Sequence, residues 1–437
     1  YIIPGGAYET TVNESGKTVV VNGTFKYIQS QPQNIFKVLQ APIQGIVEGA
    51  EIIAFLFIVG GAFSVISKTK AIDFGILRIV EIFKGKEILV LPILIFMFSL
   101  GGATFGMSEE SVAFIAILLP LVLALGYDSI VAMCVTYLAC NLGFSSAMLN
   151  PFTVGIGQSI AEVPLYSGVE YRTIIWFITT AVGCAFVMIY AMKIKKNPKL
   201  SPVFESDQIK HEKLKDIQSE SAEFTTSHKI IVLSLFIGIG IIVYGVLKLE
   251  FWIPEIAGIF LAVGLISGIV GKLEPNEMAS AFTEGAKDMI GAAILIGFAR
   301  SIMIIAQNAN IIDTILFNLS NAIGHLPSLI AAYIMLPIQM FINFFVNSGS
   351  GQAALTMPIL APLGDLVGIS RQLTVLIYQL GDGFSNAMFP TSGVLIACLG
   401  IAGIPYGKWL KWIIPLQIIL FICSLGFITV AKLIGWA

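Results

Sequence analysis

A polar interruption occurs twice inside apolar, helix-length stretches of this chain. Residues 143–151 read GFSSAMLNP and residues 383–391 read GFSNAMFPT, so five of their first six positions are identical. Glycine, serine, asparagine and proline cannot continue a lipid-facing helix without leaving backbone groups unpaired. Inside a bilayer such groups are tolerated only where protein or a water-filled cavity covers them. The two motifs therefore require a fold that encloses both breaks.

The remaining composition predicts a membrane-embedded chain. Of the 437 residues, 56% are hydrophobic and 12% are charged, whereas an ordinary soluble domain has about 25% charged residues. Long apolar stretches recur, and a bilayer span needs roughly 20 such residues, which predicts a polytopic membrane protein in contact with lipid. The lysines lie in short loops and one linker and form no basic stripe, so no nucleic-acid partner is expected.

The sequence contains no motif of an enzyme active site. All five cysteines lie in apolar segments without the paired spacing of a disulfide or metal site. The three histidines form no HExxH motif or similar cluster, and no Walker motif is present. We therefore expect neither an enzyme nor an ATP-driven pump, and no cofactor beyond a coupling ion.

Composition along the chain divides it into five predicted regions. Residues 1–45 form an extracytoplasmic segment that follows a first helix missing from this chain, with a hairpin turn signal at Asn22-Gly23. Residues 46–194 are a first repeat and residues 249–437 a second one. Between them lie a charged, solvated linker at 195–229 and a connecting transmembrane helix at 230–248.

Landmarks that recur in one order support the repeat. Glu48-Gly49-Ala50 is echoed by Glu284-Gly285-Ala286 at a separation of 236 residues, and Pro120 by Pro362 at 242, close to the 240 that separates the two motifs. Each repeat also contains two apolar arms of about 15 residues around a polar tip, too short to cross a bilayer at 1.5 Å per residue. We predict an all-α polytopic protein in which each repeat has a re-entrant helical hairpin and a broken transmembrane helix.

The lysine-rich linker is expected in the cytoplasm by the positive-inside rule. Counting spans outward from it gives the two repeats opposite orientations in the membrane. Inverted repeats with broken helices are typical of secondary transporters, which use them for alternating access.

The motifs that carry a family resemblance are GGATFGMSEE at residues 101–110 and the two GFSxAM segments. The chain resembles, over essentially its whole length, the basic amino-acid antiporters (arginine/ornithine type) related to the C4-dicarboxylate anaerobic carriers, within the ion transporter superfamily. The resemblance implies a homodimer in the bacterial cytoplasmic membrane, with a dimerising scaffold and a transport domain that moves as an elevator.

Hairpin tips and helix breaks are expected to meet near the bilayer midplane and to bind the substrate. Half-helix N-termini attract carboxylates there, while freed carbonyl and hydroxyl oxygens suit Na⁺. The candidate binding residues are Ser108, Glu109, Glu110, Ser145, Ser146, Asn150, Thr153, Asn347, Ser348, Gly349, Ser350, Gln352, Asp382, Ser385, Asn386, Thr391 and Ser392. A Na⁺ ion is expected near Ser108, Asn150, Ser350 and Thr391, with H⁺ as the alternative coupling ion.

Three acidic residues in this set favour a cationic substrate. Glu109, Glu110 and Asp382 would be costly at membrane depth without a partner, and a basic amino acid could supply one. A capping role is the alternative for the two glutamates. Arg300 could meet a substrate carboxylate, counter Asp288 or reach the interface. A carrier of C4-dicarboxylates or other small organic anions, and a passive channel, remain as alternative functions.

Overall fold

The structure is a computed structural model that describes residues 3–12, 18–21, 23–71, 87–210, 225–249, 251, 253–323 and 326–436. Residues 211–224, which make up much of the predicted linker, lie outside the described residues.

The N-terminal segment is one irregular antiparallel hairpin. Strand β1 (Gly6–Ala7) pairs with β4 (Lys26–Tyr27), and β2 (Thr10–Val12) pairs with β3 (Thr18–Val20). Asn22, the first residue of the predicted turn, lies outside the described residues. Gly23, with φ +79°, lies between β3 and β4, where the backbone N–H of Thr24 donates to the Val21 carbonyl at 3.4 Å. An exposed ion pair between Glu9 and Lys26 of 2.9 Å lowers the pKa of the carboxyl and raises that of the ammonium.

Helices make up most of the rest of the described chain. In chain order they are α1 (Ile35–Glu48), α2 (Ala50–Lys68), α3 (Val90–Phe105), α4 (Ser111–Ala124), α5 (Ser129–Met133), α6 (Ala139–Ser145), α7 (Ile156–Ile160), α8 (Val169–Lys196), α9 (Thr226–Lys248), α10 (Ile253–Val270), α11 (Pro275–Asp288), α12 (Ile290–Asn308), α13 (Ile312–Ile323), α14 (Ser328–Phe345), α15 (Gly349–Leu366), α16 (Arg371–Asn386), α17 (Gly393–Ala402) and α18 (Tyr406–Leu433).

Several of these helices are long and apolar enough to cross a membrane. Among the described residues, α8, α10, α14 and α18 meet this condition singly. Two further pairs meet it together: α1 with α2, bent by 56°, and α12 with α13, bent by 74°. The chain therefore has the helices of a multi-pass membrane protein.

The predicted interruptions are present in two helices. The first interrupted helix comprises α5, a π-helical turn at Cys134–Leu138, α6, a break, a second π-helical turn at Pro151–Gly155, and α7. The second interrupted helix comprises α16, a break at residues 387–392, and α17. Asn150 compensates for part of the first break, because its Oδ1 accepts from the backbone N–H of Phe152 at 2.8 Å.

The two interrupted helices lie side by side and run antiparallel. At one end, Lys210 Nζ donates both to Ser129 Oγ, at the start of the first, and to the Ala402 carbonyl, at the end of the second, each at 2.7 Å. At the other end, Gln158 Nε2 donates to Gln372 Oε1 at 2.9 Å, which joins the end of the first to the start of the second. Opposite helix directions therefore bring both breaks to the same level.

The first part of the predicted linker packs against these helices instead of being solvated throughout. Val203 is fully buried, and Asp207 is 3% exposed. The Asp207 carboxylate accepts from the backbone N–H of Ser129 at 2.7 Å and from Lys210 Nζ at 2.7 Å. The negative Asp207 lies at the partly positive start of α5, and the positive Lys210 lies at the partly negative end of α17, so both charges are favourable there.

A pair of antiparallel helices packs on each interrupted helix. In the first half, α3 crosses α6 so closely that a Cβ on Gly143 would lie 1.8 Å from the Ser99 carbonyl oxygen. In the second half, α14 packs on α16. The tips of the pairs α3–α4 and α14–α15 are thereby directed toward the breaks, while α1 packs on α12 and α2 on α11.

Candidate functional site

The two GFSxAM segments contact each other. A Cβ on Gly383 would lie 2.4 Å from the Cα atom of Ser145, so only glycine permits this approach. Asn141 Nδ2 donates to the Gly383 carbonyl at 2.9 Å, and the Tyr137 hydroxyl donates to the Asn386 carbonyl at 2.9 Å. Side chains of the first interrupted helix thus satisfy carbonyls at the end of α16 that helix hydrogen bonds leave free.

The first helix pair brings its tip, residues 106–110, to the first break. Gly106 ends α3 with φ +80°, and a Cβ there would meet the Asn150 Oδ1 atom at 2.7 Å. Glu110 is buried, and its carboxylate accepts from the backbone N–H of Ser108 at 3.0 Å. Glu109, by contrast, is only partly buried and lines a cavity. The two adjacent glutamates therefore have different environments.

The second helix pair brings its tip, residues 346–348, to the second break. Ser348 caps α15, since its hydroxyl accepts from the backbone N–H of Gly351 at 3.3 Å. Asn347 Nδ2 donates to the side-chain oxygen of Asn386 at 2.7 Å. Asn343 Nδ2 contacts the same oxygen at 2.7 Å and also Ser385 Oγ at 2.7 Å. Asn343 is a structural support of this site that the sequence reasoning missed.

A cavity of about 320 Å³ lies where the tips meet the second break. Nine of the seventeen predicted binding residues line it: Ser108, Glu109, Asn347, Ser348, Gly349, Ser350, Asn386, Thr391 and Ser392. The first interrupted helix lines it with Tyr137, Cys140, Asn141, Phe144 and Phe152 rather than with the polar residues of its break. The two breaks thus contribute unequally to the cavity.

Charged residues line the cavity from several elements. Glu109 comes from the first tip, Glu48 and Glu51 from the junction of α1 and α2, and Arg300 from α12. Glu48 and Glu51 were not predicted as binding residues, although residues 48–50 were recognised as a repeat landmark, and Arg300 was considered only as a possible partner of a substrate carboxylate. Three carboxylates and one guanidinium therefore border one small space.

The other eight predicted residues lie outside the cavity lining. They are Glu110, Ser145, Ser146, Asn150, Thr153, Gln352, Asp382 and Ser385. The hydroxyls of Ser145, Ser146 and Ser385 donate to carbonyls four residues earlier in their own helices, at 2.6, 2.6 and 2.7 Å. Gln352 donates to the carbonyl of Gln339 at 2.8 Å. These contacts explain how polar side chains are accommodated in an apolar interior.

Asp382 differs from Glu110, the other acidic residue of this second group. It is fully buried, and neither of its carboxylate oxygens has a hydrogen-bond partner among the described residues. A Cβ on Gly349 would lie 3.4 Å from Asp382 Oδ2 and 2.8 Å from Thr153 Cγ2. Thr153 Oγ1 and Asn150 Nδ2 are likewise buried without a partner in the described part of the chain. An unpaired buried carboxylate requires a proton or a cation to offset its desolvation.

The residues predicted to lie near Na⁺ are divided between these two environments. Ser108, Ser350 and Thr391 line the cavity, and Asn150 lies against Gly106 of the first tip. Within the described ranges, no group of three or more His, Cys, Asp and Glu side chains could hold a metal ion. Ser108, Ser350, Thr391 and Asn150 offer hydroxyl and amide oxygens, which suit a hard cation such as Na⁺.

Antiparallel interrupted helices around a polar cavity are typical of membrane transport proteins. A family model described as the C4-dicarboxylate anaerobic carrier matches residues 1–433. The chain belongs to this family and is a multi-pass membrane transporter, as its resemblance predicted.

Two relatives extend this assignment. A protein of Escherichia coli (strain K12), described as "Putative basic amino acid antiporter YfcC", is 45% identical over 412 residues, which cover 90% of this chain and 81% of the relative. An uncharacterized protein of Haemophilus influenzae is 30% identical over 402 residues, which cover 92% of this chain and 79% of the relative.

Two solved structures of transporters are similar at a greater distance. The Alcanivorax borkumensis YdaH transporter aligns with a TM-score of 0.45 and 16% identity over 98% of this chain and 94% of its own. Neisseria gonorrhoeae MtrF, from a class of antimetabolite efflux pumps, aligns with a TM-score of 0.40 and 15% identity over 97% and 89%. Because both TM-scores are below 0.5, no conclusion about this chain depends on them.

Proposed function

We propose that the protein is a secondary active transporter that exchanges basic amino acids, or takes one up with a coupled ion, across the bacterial cytoplasmic membrane. The observation that carries this proposal is the charge of the cavity: Glu48, Glu51 and Glu109 border the same space as a single Arg300. A basic amino acid has two cationic groups and one carboxylate, which complements this set. The cavity volume of about 320 Å³ is at the lower end of the roughly 300–1,000 Å³ typical of small-molecule sites.

In this proposal the substrate carboxylate pairs with Arg300, and the amino and side-chain cations pair with the glutamates. Guanidinium and carboxylate groups form directional, charge-assisted hydrogen bonds that are stronger than neutral ones. Asn347 and Asn386 are already hydrogen-bonded to each other and form a polar wall of fixed geometry. The description of the E. coli relative as a basic amino acid antiporter supports this substrate class.

Alternating access by inverted repeats is the mechanism that we propose. The antiparallel course of the two interrupted helices supports it, and so do the similar separations, 236 to 242 residues, between the landmarks of the two repeats. The re-entrant position of the two helix pairs, the elevator movement and the homodimer belong to the same proposal and rest on the family resemblance. The division of the chain into five regions, at 1–45, 46–194, 195–229, 230–248 and 249–437, is also part of this proposal.

Asp382 is proposed to bind the coupling ion, either H⁺ or Na⁺. Its carboxylate and Thr153 Oγ1 are buried without partners among the described residues, close to Gly349 at the start of α15. A cation there would neutralise the carboxylate and join the second interrupted helix to a helix tip. Occupancy of this position could thereby control the shape of the adjacent cavity.

A carrier of C4-dicarboxylates is the second candidate. The family description and the presence of Arg300 in the cavity favour it. The three glutamates oppose it, because they would repel a dianion unless they were protonated. A passive channel is the candidate from a different class.

Counterflow in proteoliposomes distinguishes these functions. Vesicles preloaded with unlabelled arginine, ornithine or succinate receive labelled arginine or succinate outside, with and without a Na⁺ or proton gradient. We expect saturable accumulation of arginine that depends on internal arginine or ornithine. Exchange of succinate but not arginine would instead identify the anion carrier, and non-saturable flux of either solute would identify a channel.

A further inference from the structure

A fully buried guanidinium lies beside the first break but outside the cavity. Arg172, in the first turn of α8, is 1% exposed, and its Cζ atom lies 5.4 Å from the centre of the Trp436 ring. No carboxylate forms a salt bridge with it among the residues that the structure describes. Burying an arginine without a counter-charge is costly. The position of Arg172 therefore requires an explanation beyond apolar packing.

Two glutamine side chains accept hydrogen bonds from Arg172. One terminal nitrogen donates to Gln379 Oε1, and the other donates to Gln372 Oε1 at 3.2 Å. Because a guanidinium has only donors, it must contact the oxygen of each glutamine and not the nitrogen. The Gln379 amide nitrogen consequently points away from Arg172, where it donates to the Ala147 carbonyl at 3.0 Å.

Ala147 lies within the first break, and the break is held from two sides. The backbone N–H groups of Met148 and Leu149 both donate to the Ala103 carbonyl of α3, each at 3.1 Å. On the other side, the amide of Gln379 holds the carbonyl of Ala147 and joins the break to α16. A backbone carbonyl beyond a helix end needs such a partner in an apolar interior.

We propose that Arg172 is a positioning residue for the first break. By occupying Gln379 Oε1, it fixes the orientation of the amide that holds the Ala147 carbonyl, and it thereby sets the distance between the two interrupted helices at the cavity. The effect on transport depends on the proposed function, whereas the effect on the break itself does not.

The substitution Gln379→Glu separates this role from simple charge compensation. Glutamate would form an ion pair with Arg172 but would have no N–H group for the Ala147 carbonyl. Gln372→Glu is the matched control, because Gln372 also accepts from Arg172 but has its amide nitrogen on Ser167, away from the break. A third variant, Arg172→Met, removes the guanidinium.

The first measurement is hydrogen exchange in detergent, followed on peptides that cover residues 143–150, with peptides of α18 as reference. We expect Gln379→Glu and Arg172→Met to increase exchange in residues 143–150 at least fivefold. Gln372→Glu should leave it at the wild-type rate. Wild-type exchange in Gln379→Glu, or an equal increase in both glutamate variants, would overturn the proposal. If Arg172→Met does not fold, the two glutamate variants still decide.

The second measurement is arginine counterflow with the same variants. We expect Gln379→Glu to raise the KM for arginine at least fivefold while its melting temperature stays at or above that of wild type. Equal losses of transport and melting temperature would indicate a purely structural role and would overturn the proposal. If the wild-type protein does not exchange arginine, the proposed substrate is wrong, and hydrogen exchange alone decides the role of Arg172.

Discussion

The adjacent residues Glu109 and Glu110 provide a sharp test of the proposed site. Glu109 lines the cavity, whereas Glu110 is 7% exposed and accepts a hydrogen bond from the backbone N–H of Ser108. We expect Glu109→Gln to weaken substrate binding and Glu110→Gln to weaken the tip. The two variants remove the same charge one residue apart, so each serves as the control for the other.

The magnitude follows from what glutamine retains. A hydrogen bond to a charged group contributes roughly 1.5–3 kcal/mol and a neutral one roughly 0.5–1.5 kcal/mol. Glutamine keeps an acceptor oxygen at position 109, so the loss is the difference, about 1–1.5 kcal/mol, or roughly a five- to thirteenfold rise in KM. Glu48 and Glu51 remain in the cavity, which keeps the effect partial.

The assay is the initial rate of labelled arginine counterflow at a series of concentrations, combined with the melting temperature in detergent. Glu109→Gln should raise the KM at an unchanged melting temperature. Glu110→Gln should lower the melting temperature, with a KM within twofold of wild type. A wild-type KM in Glu109→Gln, or the same rise in both variants, would refute the assignment of Glu109 to the substrate.

Three further outcomes are expected. Gly383→Ala would place a Cβ 2.4 Å from the Ser145 Cα atom, and this overpacking, which costs about 1–3 kcal/mol, should lower the melting temperature. Gly426→Ala is the control, because a Cβ there meets open space and should not lower the melting temperature. Lys210→Met removes a charged hydrogen bond to the last carbonyl of α17, so a loss of roughly 1.5–3 kcal/mol should lower the melting temperature with an unchanged KM; a wild-type melting temperature would contradict this. Asp382→Asn should fold normally, because its carboxylate has no partner among the described residues, but should lose uptake driven by a Na⁺ or proton gradient; gradient-driven uptake at the wild-type rate would return Asp382 to a packing role.

Local chemistry made the interrupted helices predictable. Glycine, serine, asparagine and proline disrupt a helix wherever they cluster, so residues 143–151 and 383–391 located both breaks without tertiary information. Long apolar runs likewise predicted a chain with several membrane-spanning helices.

Packing decided what the first part of the linker does. Its charge predicted a solvated connector, but Asp207 and Lys210 are held at the ends of α5 and α17. These contacts require Ser129, at the start of α5, and Ala402, at the end of α17, to lie close together, although they are more than 270 residues apart in the chain. No local pattern in the linker indicates them.

The sequence by itself determined that this chain is a membrane transporter with two matched breaks, because apolar composition, helix-breaking residues and a repeat spacing are all properties of the chain. Only the tertiary structure decided which of the polar residues face the cavity, since helix rotation and packing set the direction of each side chain. It separated Glu109 from Glu110, left Asp382 without a hydrogen-bond partner among the described residues, and brought Glu48, Glu51 and Arg300 to the cavity from helices that the motifs do not include.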